Sequence, residues 1–456
     1  MDATSLLKQI AEAATTPEQL VDTAISKINA ANPLSHAATE VLADEAHNQL
    51  KSLPDGPLKG LPISVKECYA IAGRYITSGS KRMKPIFCQE DATVVKRLKN
   101  AGAVIVARGN TSEFLLGRET DNLLYGTTDN AITPGLTAGG SSGGDGVMTA
   151  SGCVSFGIGT DIGGSCRFPA VFNGIVGFKP ASGQVDKTGI FPAAGNEFVE
   201  TMNSPGILAR SVRDVCLVYN VIGRKQVNEK NDLGGIQLYT ANNFRVKISD
   251  ESIKLALQGS IDFFKGKSID VKDMDIPESG THYTDFGKLM GAGFTDMIYK
   301  WSVTEDGKKL SFIGELFRRM IGKPTISNEL FAMLLPFNFI KPSASKLEKI
   351  IAKVQLAREK YYSLLGQNGV LVLPTAGILA PKHKKFYPQY NKPGVIEIIT
   401  PVSFCNIYNL SCITIPAWKY QNDKTKNPPG IQLVSAPGNE ELLLNAAKML
   451  EDYLHR

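Results

Sequence analysis

Apolar residues recur with two different periods along this chain. The segment "QLVDTAISKINAAN" (19–32) has helical spacing, and Thr16, Pro17 and Glu18 before it read as cap, first helical position and first-turn acid. That helix is predicted to stop near Asn32-Pro33. "GLPISVKE" (60–67) is instead a short, nearly continuous apolar run, the mark of a strand entering a core. "DATVVKRLKNAGAVIVARGNT" (91–111) joins both patterns: a helix, a glycine stop at Gly102, then the buried strand "AVIVA". This rhythm continues to about residue 220 and predicts an α/β sheet covered by helices.

Two stretches depart from that rhythm. Residues 135–195 are dense in Gly, Ser and Ala, yet "CVSFGIGT", "VFNGIVGF" and "GIFPAA" interrupt the glycines with apolar groups. Packed interior fits this better than a flexible linker, because glycine lets backbones approach closely. From about 225 to 365, Lys, Phe, Met and Leu recur with helical spacing, which predicts an inserted helical region. Strand-like runs return at "VLVLPTAGILAP" (370–381) and "CITIPAW" (412–418), and "NEELLLNAAKMLEDYL" ends the chain as a helix. The expectation is one domain over 1–456, with a core of about 20–220 and 368–456 and an insert of about 225–365.

Composition narrows the function classes. The 456 residues are 43% apolar and 21% charged, ordinary for a globular enzyme. The net charge of +6 is spread along the chain without a basic block, which argues against a nucleic-acid partner. Seven cysteines without CxxC spacing point to a reducing compartment and away from a disulfide framework or metal site. "MDATSLLKQIAEAATTPEQLV" has neither the basic nor the apolar region of a secretory leader, and no run of 18 apolar residues occurs. The expectation is a cytoplasmic, non-secreted chain whose membrane contact, if any, is peripheral.

The glycine-rich region carries the candidate chemistry. "DIGGSCRFP" (161–169) puts Ser165 after two glycines, and "GGSSGGDG" (139–146) offers a pair of serines. A hydroxyl needs a base, commonly histidine, but the five histidines (36, 47, 282, 383 and 455) all lie outside this region. Lysine can serve if desolvation holds it neutral, and Lys66 follows the apolar strand "LPISV". A strand-end lysine reaching solvent is the alternative. The turn from Asp161 to Ser165 can aim successive N–H groups at one point, as an oxyanion requires, though a structural Gly-Ser turn has the same composition. "GGSSGGDG" lacks the Lys of a P-loop, and "GIGTDIGG" places its third glycine one position late for a dinucleotide fingerprint.

Taken together, "G-x-P-x-x-x-K" (60–66), "GGSSGG" (139–144) and "DIGGSxRxP" (161–169) closely resemble the amidase signature family. The resemblance runs from about residue 20 to the end. It implies a large mixed β-sheet core with helices on both faces and a Ser–Ser–Lys triad that needs no metal or organic cofactor. Carried over, it makes Ser165 the nucleophile and acyl carrier, Ser141 the bridging serine after a cis peptide at Gly140–Ser141, and Lys66 the base. It also implies oxyanion-hole amides at Ile162, Gly163, Gly164 and Ser165, with Ser142, Asp161 and Arg167 as supports.

The substrate is less constrained. Glutaminase subunits of transamidation complexes usually read "SDTGGS" and "NLAGLPA", where this chain has "TDIGGS" (160–165) and "NIYNLSC" (406–412). The segments 159–180, 373–384 and 428–444 look closer to the fatty acid amide hydrolases, in their second form. That likeness implies a small-molecule amide with a fatty acyl or other apolar group, and a substrate contact at Leu115. A glutaminase would need charged groups for the amino acid's ends, for which Arg318, Arg319 and Asp296 are candidates. "NELFAMLLPFNFIKP" (328–342), flanked by "FRRMIGK" and Lys341, suits a peripheral membrane cap or an acyl channel; a buried helix hairpin is the alternative. An inactive partner subunit is a further reading, opposed by the intact Ser165, Ser141 and Lys66. Dimers occur in the family, so a homodimer stays open.

Overall fold

Neighbouring residues of the central strands point to opposite faces, and both faces are covered. Val104 and Val106 join one apolar cluster with Val21 and Val147, while Ile105 joins another with Val95, Val215 and Leu443. The computed structural model describes residues 1–230, 233–304, 307–384, 396–423 and 426–455. Within them the main sheet has eleven strands. In chain order these are β1 (Ala38–Val41), β2 (Pro62–Lys66), β3 (Val104–Gly109), β4 (Phe156–Asp161), β5 (Val176–Lys179), β6 (Ser204–Ala209), β7 (Gln237–Thr240), β8 (Val271–Asp273), β9 (Gly369–Pro374), β10 (Ser411–Pro416) and β11 (Gly430–Ser435). Across the sheet the order is β1-β3-β2-β4-β6-β5-β10-β11-β9-β7-β8. β2 runs parallel to both β3 and β4, whereas β4–β6 and β10–β11 are antiparallel, so the sheet is mixed.

Local signals in the sequence explain several boundaries. Thr16 and Gln19 form a reciprocal capping box at the start of the Pro17–Ser35 helix. This helix outruns its predicted stop, carrying Pro33 in its last turn and ending at His36 with φ 48°. Asn32 makes that possible: its side chain bonds both the N–H and the C=O of Ala38, closing the chain onto β1. The Thr93–Asn100 helix and β3 follow the 91–111 pattern directly.

The inserted segment is more than helical. It supplies β7 and β8, which extend the sheet edge in parallel beyond β9. Its long helices, His282–Trp301 and Ala344–Leu365 among them, share one apolar cluster with Leu371, Leu373 and Val434 of the sheet. Because β2 and β4 are parallel neighbours, Lys66 and Asp161 leave the sheet at the same edge. The Gly143–Ala150 helix begins beside that edge, packed on both strands.

Candidate active site

Lys66 is the last residue of β2 and is fully buried. Its Nζ lies 2.7 Å from Ser141 Oγ, 2.9 Å from Ser142 Oγ and 3.0 Å from Thr160 Oγ1. Burial, the largest influence, pulls its pKa below the ordinary lysine value; the nearby Cys68, Cys166, Asp145 and Asp161 pull the other way. A neutral amine has two N–H donors and one lone pair. Three hydroxyl oxygens around it therefore require one hydroxyl to donate inward, and the shortest contact is to Ser141.

The Gly140–Ser141 peptide is cis, as the resemblance implied. Ser141 is fully buried, whereas Ser165 keeps 6% exposure and opens on a cavity. The two serine loops are stitched together by Ser142, whose N–H donates to the Ser165 carbonyl at 3.1 Å and whose hydroxyl reaches Lys66. Thr120 braces the first loop, accepting from Gly143 N–H at 2.8 Å and donating to Gly139 C=O at 2.9 Å.

The 162–165 turn hangs from Asp161. This carboxylate accepts from the N–H groups of Gly164 (2.8 Å) and Cys166 (3.1 Å), from Arg167 Nε (3.0 Å) and Nη2 (2.9 Å), and from Asn406 Nδ2 (3.0 Å). Burial alone would raise its pKa, but the Arg167 guanidinium overrides this and holds it well below the usual carboxylate range. Arg167, itself fully buried, continues to Gln432 at 2.8 Å and to Asn406. Gly164 has φ +104°, a conformation that favours glycine. Its N–H is already given to Asp161, which sets it apart from the other amides proposed for an oxyanion. Ile162, Gly163 and Ser165 line the cavity.

This cavity has a volume of about 180 Å³. One wall is the segment Leu115–Arg118, the other the insert residues Phe286, Met290, Met333 and Phe337. Leu115 thus faces the same space as Ser165. Phe114 and Leu115 hold φ values of 54° and 62°, a conformation costly for such side chains. Two carboxylates tie this segment to the insert: Glu329 of the insert accepts from Arg118 N–H at 2.6 Å, and Glu113, beside Phe114, accepts from Ser327 N–H of the insert at 2.6 Å.

Several expectations land elsewhere. Arg319 bonds Ile326 C=O, Ser327 C=O and Asn328, Asp296 pairs with Lys341 at 2.7 Å, and Arg318 is exposed, so none of these three lines the cavity. The Asn328–Ile340 helix is only partly buried: Leu330 and Leu334 are buried, Met333 and Phe337 face the cavity, and Phe339 is 81% exposed. His282 bonds the Glu278 and Thr400 carbonyls and His383 sits between Glu119 and Asp129, so these rings are engaged away from Ser165. Sequence reasoning missed Thr160, Asn406, Gln432 and Glu329. All four stood inside segments noted for other reasons, Thr160 in 160–165, Asn406 in 406–412, Gln432 in 428–444 and Glu329 in 328–342, and nothing in those segments marks these four side chains.

Comparison with known proteins identifies the class. The chain matches the Amidase family over residues 19–444 and belongs to it. It is a serine hydrolase acting on amides. Fatty-acid amide hydrolase 2 of Homo sapiens is 27% identical over 91% of this chain and 79% of its own length. A glutamyl-tRNA(Gln) amidotransferase subunit from Deinococcus radiodurans is 26% identical over 98% of this chain and 96% of its own. The solved structure of 6-aminohexanoate cyclic dimer hydrolase shares the fold, with a TM-score of 0.82 at 22% identity over 100% of this chain and 97% of that one.

Proposed function

We propose that this chain hydrolyses a linear carboxylic amide with an apolar acyl group, through Ser165, Ser141 and Lys66. The observation that carries the reading is Lys66: a fully buried amine with Ser141, Ser142 and Thr160 hydroxyls within 3.0 Å. Neutral Lys66 accepts the Ser141 proton as Ser141 takes that of Ser165, and Ser165 Oγ attacks the amide carbonyl carbon. The N–H groups of Ile162, Gly163 and Ser165 stabilise the oxyanion, with Gly164 N–H spent on holding Asp161. Collapse breaks the C–N bond as the relay returns the proton to nitrogen, and water then releases the acid.

The lining favours an apolar acyl group over the charged ends of glutamine, since Leu115, Phe286, Met290 and Phe337 dominate the walls. The volume of about 180 Å³ favours a compact acyl group, or the first carbons of a longer one. Ile313, Phe317 and Met320, exposed on the Phe312–Met320 helix, adjoin basic Arg318 and Lys323 and form an apolar rim suited to peripheral membrane contact, and Phe339 is a further exposed apolar group on the Asn328–Ile340 helix. Among the described residues no helix is long and apolar enough to cross a membrane. The test is ammonia release from primary amides of graded chain length and from glutamine, by the chain and its Ser165→Ala variant. Apolar amide turnover lost in the variant supports the reading. Glutamine turnover alone moves the chain to the transamidation branch, and activity surviving in the variant overturns the mechanism.

A further inference from the structure

A second buried acid near Lys66, Asp145, takes no part in the steps above. It stands in the first turn of the Gly143–Ala150 helix and is fully buried. Its Oδ1 accepts from Ser64 Oγ at 2.7 Å, while among the described residues its buried Oδ2 has no hydrogen-bond partner. Two glycines make its seat. A Cβ at Gly109 would stand 2.3 Å from Asp145 Oδ2, and one at Gly157 would stand 2.7 Å from Asp145 Cβ. Gly109 is the register partner of Lys66 on β3, and Gly157 is that of Ser64 on β4. Ser64 and Lys66 are two residues apart on β2 and share its face. The carboxyl therefore rests on the patch of sheet from which the Lys66 side chain rises.

An incompletely bonded carboxyl in such a place is costly, and an apolar residue would fill the seat without that cost. We propose that Asp145 is a positioning residue for Lys66, and that its carboxyl sets the pH range in which Lys66 acts as a base. The proposal rests on the triad reading above. Ionised, the carboxylate favours the Lys66 ammonium and withholds the base; neutral, it releases the free amine. Burial pushes Asp145 up to about 7 against the pull of Ser64 and Lys66, so the exchange falls within a working pH range. The other groups facing Lys66 are Cys68, Cys166 and Asp161. Burial raises both thiols, keeping them neutral, and Asp161 is committed to Arg167. Glu67 and Arg108, the next charged residues along β2 and β3, stand 3.6 Å apart and face each other.

The test does not need the natural substrate. An alkyl fluorophosphonate forms a bond from Ser165 Oγ to phosphorus, fluoride leaves, and the serine proton passes through Ser141 to Lys66. The rate of this labelling against pH therefore titrates the base. Asp145→Asn is expected to lower the midpoint by about one pH unit, a tenfold change in the acid constant. Ser64→Ala, which removes the bond that favours the ionised carboxyl, is expected to shift it less in the same direction. A midpoint unmoved in both variants, with only the plateau reduced, would mean that Asp145 merely packs, and the proposal falls. Should Asp145→Asn not fold, the Ser64→Ala midpoint decides alone. Wild-type protein that takes no label, or is labelled equally in Ser165→Ala, would instead sink the triad reading itself.

Discussion

On the sheet side, the cavity ends in Ile162, Gly163 and Ser165, backed by buried, hydrogen-bonded hydroxyls, the Asp161 carboxylate and the Arg167 guanidinium. On the insert side it ends in Phe286, Met290, Met333 and Phe337, which belong to one apolar cluster, while Phe317 and Phe339 stand exposed on the same insert. The first wall is directional: each polar atom has one geometry that satisfies it. The second is defined by volume and shape, and tolerates changes of side chain that keep both. This division lets one reaction be held constant while its acyl partner is chosen elsewhere.

The strongest test of that contrast is on the polar wall. Ser165→Ala or Lys66→Ala should lower kcat by about 10⁵-fold with little change in KM, measured by ammonia release. Loss of less than about tenfold would break the assignment. Next in size is Arg167→Met, which strands the Asp161 carboxylate and should cost about 3–5 kcal/mol in denaturant unfolding. The folded-state pKa of Asp161 is depressed, so its contribution is complete above the unfolded value of about 3.9 and is lost as pH falls further. Without Arg167 the buried Asp161 takes up its proton at a higher pH than in the wild type, so the gap between wild type and Arg167→Met should narrow as the pH is lowered; a constant gap would show that the pair is not its source.

The apolar wall should respond differently. Met333→Ala enlarges the cavity and should change the ratio of kcat/KM between longer and shorter amides by about tenfold, with the pH profile unmoved. A shifted pH profile would mean that the two walls are not separable. The smallest effect concerns the outer rim: Phe317→Ser should alter stability by no more than about 0.5 kcal/mol. The same change should weaken flotation with anionic vesicles, and flotation equal to wild type would remove the rim from membrane contact.

The polar wall is also the more legible of the two. Local context picks out Ser165, the paired serines and Lys66, the resemblance adds the supporting Ser142, Asp161 and Arg167, and the structure brings all of them together at one end of β2 and β4. Close contact between a strand end and two glycine-rich turns demands small residues and specific hydroxyls, and that demand is written locally. Leu115 is found by resemblance alone, and nothing local betrays the Glu329 carboxylate that holds its segment in place from 211 residues away. The insert misleads in another way. Helical spacing over 225–365 conceals β7 and β8, because two short strands at a sheet edge interrupt the period too briefly to register.

By itself, then, the sequence determined what depends on neighbours along the chain: capped helices, apolar strands, the two serine turns and a lysine at a strand end. Only the tertiary structure decided that β2 and β4 run side by side, so that Lys66 meets Thr160 94 residues away, and that Arg167 reaches Gln432 265 residues on. It also decided which face of the Asn328–Ile340 helix meets the cavity and which meets solvent. The physical reason is range. Caps, turns and periods act over a few residues, whereas desolvation of a lysine and the shape of a cavity arise only when distant segments close around the same point.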